Sequence, residues 1–304
     1  MLEFSLGNAF MHFARADAPP GFLWKQALSY ALFSMITLGL SIFLMGGLYL
    51  EMLTLGEDPD ENLDFWAENW APIFGVYGLL MPLGFATWAI FEASFQRRYM
   101  RGDGFKLRFG GDELRLIVVG LFWLMFFFLA IFGPSLIIGV LGAISTELGT
   151  DGGGLQVIAV LIGAITFLVP IYFAVRFSAA SALTIRDRKI QITSSWRVTR
   201  GRFWGLFGSY IAIIAAALGA YIVFSIVIGI AALSGMALLD ADLASRDASE
   251  AFADPLLIGT LGFIYFVGFM ASAIFGVIWG GPAALAARTD PEHGGRVDPA
   301  EAFS

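Results

Sequence analysis

Six long apolar stretches, roughly residues 27–50, 71–95, 114–144, 155–176, 203–238 and 255–287, leave this 304-residue chain little choice of fold. A helix needs about 20 apolar residues to cross the hydrocarbon core of a bilayer, and each stretch is long enough. Backbone groups in lipid must be satisfied within the segment. None of the stretches alternates polar with apolar residues, so helices rather than barrel strands are predicted. Hydrophobic residues make up 58% of the chain and charged residues 14%, where a soluble domain carries roughly 25% charge. The expected fold is all-α, a polytopic membrane protein of six transmembrane helices in a single domain spanning 1–304.

The cations are sorted along this pattern. Seventeen of the eighteen Lys and Arg residues fall in four polar segments: the N-terminus (Arg15, Lys25), the connection from Arg97 to Arg115, the connection from Arg176 to Arg202, and the tail (Arg288, Arg296). Only Arg246 falls elsewhere. Six crossings place all four segments on one side, as the positive-inside rule requires of a bacterial inner-membrane protein with both termini in the cytoplasm. That side holds 17 basic and 11 acidic residues and the other 1 and 14, so +6 and −13 give the overall −7. Arg far outnumbers Lys, which points to a GC-rich bacterial genome. A positive face suits an anionic leaflet, and nucleic acid is not expected as a partner. The first span is too long for a signal h-region and lacks a small-residue cleavage site, so it is read as retained.

Catalytic and metal-binding patterns are missing from the sequence. Cysteine is absent, and the two histidines, His12 and His293, lie near opposite ends of the chain and outside the apolar spans. Ser194, Ser195 and Thr199 have no neighbouring histidine to act as base, and Gly152-Gly153-Gly154 lacks the Lys and Ser or Thr of a phosphate loop. Asp58-Pro59-Asp60-Glu61-Asn62-Leu63-Asp64 spaces oxygens as a calcium loop does. Leu63 stands where that loop needs Gly, however, and Asn69 where it needs a bidentate Glu. A solvated acidic connection is expected there, with no metal, no cofactor, no catalytic residue and no enzyme activity.

An internal repeat is legible. Gly21-Phe22-Leu23-Trp24, Gly111-Asp112-Glu113-Leu114 and Gly201-Arg202-Phe203-Trp204 start ninety residues apart, each just before an odd-numbered span. Three tandem helical hairpins, about 21–110, 111–200 and 201–290, with a polar tail 288–304, explain the spacing. Short amphipathic pieces precede the hairpins at Phe4–Ala16, Tyr99–Phe109 and Ile190–Arg200 and are expected to lie in the headgroup layer. For 99–109 a plain solvated loop fits equally well.

Ionisable residues inside the spans reduce to Glu92 and Arg176, which alignment of Pro82 with Pro170 places at similar depth. They form a candidate intramembrane pair, read first as structural and second as a gate. In the last span, Gly268, Ser272, Gly276, Gly280 and Ala284 recur every four residues, and this small-residue face is expected to pack on another helix. The densest positive field is the connection 176–202, where Arg186, Arg188, Lys189, Trp196, Arg197, Arg200 and Arg202 are the candidate lipid- or partner-binding residues.

Within that connection, Ser195-Trp196-Arg197-Val198-Thr199-Arg200-Gly201-Arg202-Phe203-Trp204 resembles a Ser-Trp-x-x-Thr-[Lys/Arg]-Gly-x-[Phe/Leu]-Trp signature. The signature belongs to six-span bacterial proteins similar to the membrane domain of some glycerophosphodiester phosphodiesterases. The resemblance implies a membrane module serving lipids or partners and carries over no catalytic residue. The expected function is therefore that of a non-enzymatic inner-membrane protein engaging anionic lipids, a partner protein or a second copy of itself. The alternative is a transporter or lipid-moving protein gated at Glu92 and Arg176, and an intramembrane enzyme is the least supported class.

Overall fold

The computed structural model describes residues 4–15, 20–54, 59–148, 153–238 and 255–290. His293, Arg296, Arg246, Asp58 and the rest of the tail beyond 290 lie outside the described residues, as do the side chains of 59–63 in the acidic connection. The elements are α1 (Leu6–Phe10), α2 (His12–Arg15), α3 (Phe22–Thr54), α4 (Pro59–Arg101), α5 (Gly111–Leu148), α6 (Gly153–Phe177), α7 (Ala180–Asp187), α8 (Ile192–Thr199), α9 (Phe203–Leu238) and α10 (Pro255–Arg288). No strand occurs among the described residues, and the protein is an all-α polytopic membrane protein.

Six spans are long and apolar enough to cross a membrane: Phe22–Leu48, Asp64–Arg101, Gly111–Ile144, Leu161–Asp187, Phe203–Ile226 and Ile258–Arg288. They coincide with the six stretches read from the sequence. Large apolar side chains stand outward along them, among them Ile36, Phe43, Phe74, Leu129 and Leu136, a surface that only lipid or protein can cover. Pro72, Pro82, Pro134, Pro170 and Pro282 all sit inside helices that continue past them, as membrane helices tolerate. At 1.5 Å per residue the 43 residues of α4 reach about 64 Å, well beyond a core of about 30 Å.

The chain forms two compact units that cut across the ninety-residue periods. One contains residues 18–91 and 211–279. In it Met45, Phe65 and Ile73 form a small core with Leu48 and Val76, and the Gln26 amide donates to the Phe91 carbonyl at 3.1 Å. Tyr30 and Phe33 set their rings edge-on to Phe91. The other unit contains residues 1–17, 92–210 and 280–304 and carries nearly all the basic residues. Its spans meet through aromatic contacts, Phe122 on Phe177 at 5.1 Å and Phe126 on Phe173 at 6.3 Å.

Three expectations need revision. Of the repeated glycines, Gly21 (φ 83°) and Gly201 (φ 78°) adopt the left-handed turn into the next span. Gly111 is instead the first residue of α5, so the second copy enters its span differently. The segment 99–109 is not an amphipathic helix: α4 ends at Arg101, Gly102 turns at φ 68°, and 103–109 is irregular. In α10, Gly268 and Ser272 are exposed, and a methyl group added at Gly268 or Gly276 would meet nothing within 4 Å. Gly280 and Ala284 at the end of the stripe are buried, with Ala273 and Val277 beside them, so the small-residue stripe meets protein only in its last part.

Candidate functional site

Helix α6 ends at Phe177 and leaves its last carbonyls without intrahelical donors, a need that falls on neighbouring side chains. The Ser195 and Thr199 hydroxyls of α8 both donate to the Arg176 carbonyl, at 2.9 and 3.1 Å. The Arg176 guanidinium returns the contact, donating to the Thr199 carbonyl at 2.9 Å. It also lies over the rings of Tyr172, Trp196 and Phe203, each 5.2–5.6 Å from its carbon. The Ser, Trp and Thr of the signature thus all serve one arginine, and they fasten α8 and the start of α9 to the end of α6. Trp196 is a wall of this cage and not an outward anchor.

Two further cations close the end of α10. Arg186 donates to the Ala287 carbonyl at 2.6 Å and pairs with Asp187 and Asp290. Arg202 donates to the Ala286 carbonyl at 2.9 Å, the Thr289 hydroxyl at 2.9 Å and the Thr289 carbonyl at 2.7 Å. A cation at a helix C-terminus also meets the negative end of the macrodipole. Arg197 pairs with Asp290 at 3.6 Å while its side chain stays half exposed.

Arg188, Lys189 and Arg200 behave differently. All three are exposed, and none of their side chains has a partner among the described residues. Arg188 ends α7 with φ 52°, the left-handed conformation that costs a non-glycine residue about 1–2 kcal/mol. Ile190 follows Lys189 in sequence and Trp204 lies four residues after Arg200; both are exposed, Trp204 at 76%. Trp204 escaped the candidate set, although the repeated Gly-x-x-Trp pattern marks it; its counterpart Trp24, beside exposed Lys25, is 68% exposed.

Glu92 and Arg176 are not brought together. Glu92 accepts from the Gln96 amide at 2.9 Å and engages Ser181, while Arg176 has the partners given above. Above Glu92 on α4, His12 stacks on Tyr99 with ring centres 5.3 Å apart, and Arg98 donates to the Phe13 carbonyl at 3.0 Å. Gly280 and Gly281 open α10 at this junction: a methyl group at Gly280 would reach Phe95 at 2.5 Å, and one at Gly281 would lie 3.5–3.7 Å from Phe13, His12 and Tyr99. Burial, with the guanidiniums of Arg288 and Arg98, lowers His12 from 6.5 to about 4. Among the described residues no group of His, Asp and Glu side chains is suited to hold a metal ion. The chain matches no protein-family model, no curated protein and no solved structure.

Proposed function

We propose that this is a non-enzymatic bacterial inner-membrane protein whose basic, cytoplasmic face engages anionic lipid headgroups through Arg188, Lys189 and Arg200, with Arg197 beside them. The observation that carries the reading is the division of labour among the cations of 176–202. Arg176, Arg186 and Arg202 spend their donors on the protein's own carbonyls. Arg188, Lys189 and Arg200 are exposed, Arg188 from the left-handed C-cap of α7, and the exposed Trp204 follows Arg200 by four residues. A tryptophan next to a guanidinium fits the headgroup boundary, where ring and charge find different layers.

Each cation near an anionic leaflet contributes about 1 kcal/mol, so three contribute about 3 kcal/mol in low salt. The test is co-flotation of the detergent-solubilised protein with phosphatidylglycerol liposomes at two salt concentrations. The R188Q/K189Q/R200Q variant should bind at least tenfold more weakly than wild type, and the difference should shrink at high salt. Equal flotation of the two proteins defeats the reading.

A further inference from the structure

A second cluster of arginines lies outside the 176–202 connection, around the start of α5. The segment 97–115 carries six cations, Arg97, Arg98, Arg101, Lys106, Arg108 and Arg115, against Asp103, Asp112 and Glu113, a net charge of +3. Its inner layer is satisfied. Arg97 pairs with Glu113, both almost fully buried, and Arg101 forks onto Asp112 at 2.8 and 3.4 Å while also donating to the Ile185 carbonyl. Both Asp112 oxygens therefore already hold donors from a guanidinium.

The outer layer is not satisfied. Arg108 reaches one Asp112 oxygen with a single nitrogen at 3.3 Å, and Arg115 reaches the other at 3.2 Å. No other protein partner takes the remaining donors of these two side chains among the described residues, and they are 53% and 35% exposed. The Lys106 side chain is exposed without a partner, and Asp103 pairs with none of the three. One carboxylate, also paired with Arg101, thus holds two guanidiniums by one nitrogen each and leaves their remaining N–H donors unengaged among the described residues. Planar guanidiniums suit the oxygens of carboxylate and phosphate alike, and phosphate is the anion that a lipid headgroup layer presents. Phe109 and Leu114 flank the pair and are both more than half exposed, an apolar rim that a free ion would not use and a lipid interface would.

We infer that Arg108 and Arg115, assisted by Lys106, form a phosphate-binding site for the headgroup of an anionic phospholipid, built from residues other than the cations of the 176–202 connection. The site does not depend on the reading of that connection. The test titrates the full-length R188Q/K189Q/R200Q protein in detergent with dioctanoyl phosphatidylglycerol, dioctanoyl phosphatidylcholine or inorganic phosphate, following the thermal midpoint.

Phosphatidylglycerol should raise the midpoint saturably, and adding R108Q/R115Q should weaken that binding at least tenfold. Equal binding with and without R108Q/R115Q overturns the site. So does phosphatidylcholine binding as tightly as phosphatidylglycerol. Inorganic phosphate saturating at the same or lower concentration would overturn the lipid assignment and make the ligand a free phosphate. Asp112 keeps Arg101 in these variants, so the fold should hold. Should the lipid-free midpoint of R108Q/R115Q drop, R108Q alone carries the test, because Arg108 is the more exposed of the pair. A threefold or greater loss from R108Q then supports the site, and a smaller one overturns it.

Discussion

The Arg202 guanidinium grips the Thr289 carbonyl at 2.7 Å across 87 residues of sequence and ties the turn into α9 to the end of α10. Its other nitrogen holds the Ala286 carbonyl and the Thr289 hydroxyl, so one side chain satisfies two carbonyls left over at a helix terminus. Hydrogen bonds to a charged group contribute about 1.5–3 kcal/mol, and the deserted carbonyls stay partly buried. Arg202→Met should therefore cost about 2–3 kcal/mol in detergent unfolding followed by near-ultraviolet circular dichroism. Arg200→Met, two residues earlier and exposed, should stay within about 0.5 kcal/mol.

The buried pair of Arg97 and Glu113 gives a sharper contrast. Glu113 also accepts from the Gly110 amide at 2.9 Å, and Arg97 donates to the Lys106 carbonyl at 3.0 Å, so the pair fixes the irregular link between α4 and α5. Neutralising Glu113 leaves Arg97 only the more distant Asp112 carboxylate, 4.0 Å away and already shared with other arginines, in a water-poor site, at a cost of about 3–5 kcal/mol. Glu113→Gln should lose that much. The double variant R97M/E113L should recover at least about 1 kcal/mol of it, since neither charge is then left alone. A double variant less stable than Glu113→Gln would contradict this account.

What the residues alone revealed was the part of the fold set by length and hydropathy. All six spans fall where apolar runs of the required length occur, because lipid leaves a chain of this composition no other way to satisfy its backbone. Positive φ occurs at Gly21 and Gly201 but not at Gly111, so the repeated glycine did not by itself mark a left-handed turn. Helix faces were not legible either. Small residues every four positions in α10 mark where backbones can approach, and how much of that stripe meets protein depends on neighbours that hydropathy does not encode. The roles of Arg186, Arg188, Arg200 and Arg202 were equally hidden, because sequence spacing cannot separate a guanidinium bonded to a carbonyl a hundred residues away from one left in solvent.

That helix-face result makes its own test. A methyl group at Gly280 would meet the buried Phe95 ring at 2.5 Å, whereas Gly268 and Gly276 have open space. Overpacking a filled site costs about 1–3 kcal/mol. Gly280→Ala should lower stability by about that amount. Gly268→Ala and Gly276→Ala should be neutral or slightly stabilising, since alanine is the better helix former by about 1 kcal/mol. Thermal unfolding of the three variants side by side decides it, and equal losses at all three would mean that the small-residue stripe is a packing face along its whole length.

Arg188 separates stability from binding. Replacing it with Gly relieves about 1–2 kcal/mol of left-handed backbone cost and adds back about 0.5–1 kcal/mol of unfolded-chain entropy. The net gain should be about 0.5–1 kcal/mol, because the side chain has no protein contact to lose. The same variant should bind phosphatidylglycerol liposomes more weakly. A protein that gained stability and kept its full lipid binding would show that Arg188 is not part of the headgroup site.

His12 gives the chain a one-directional response to acid. Its ring is buried against Tyr99 under the combined field of Arg288 and Arg98, so the native state holds it neutral down to about pH 4, while the unfolded chain protonates it near 6.5. Between those values the unfolded state binds more protons, so stability is full above about pH 6.5 and declines as pH falls toward 4. At 1.36 kcal/mol per unit, the loss through this group approaches about 3 kcal/mol. Many carboxylates also titrate in that range, so the measurement is a comparison: unfolding midpoints of wild type and His12→Phe at pH 7.5, 6, 5 and 4.5. Phenylalanine keeps the stack on Tyr99 and cannot take a proton. The gap between the two proteins should change in favour of the variant as pH drops, with most of the change below pH 6.5. A gap that stays constant across the series would mean that His12 is not held neutral by its burial among α2, α4 and α10.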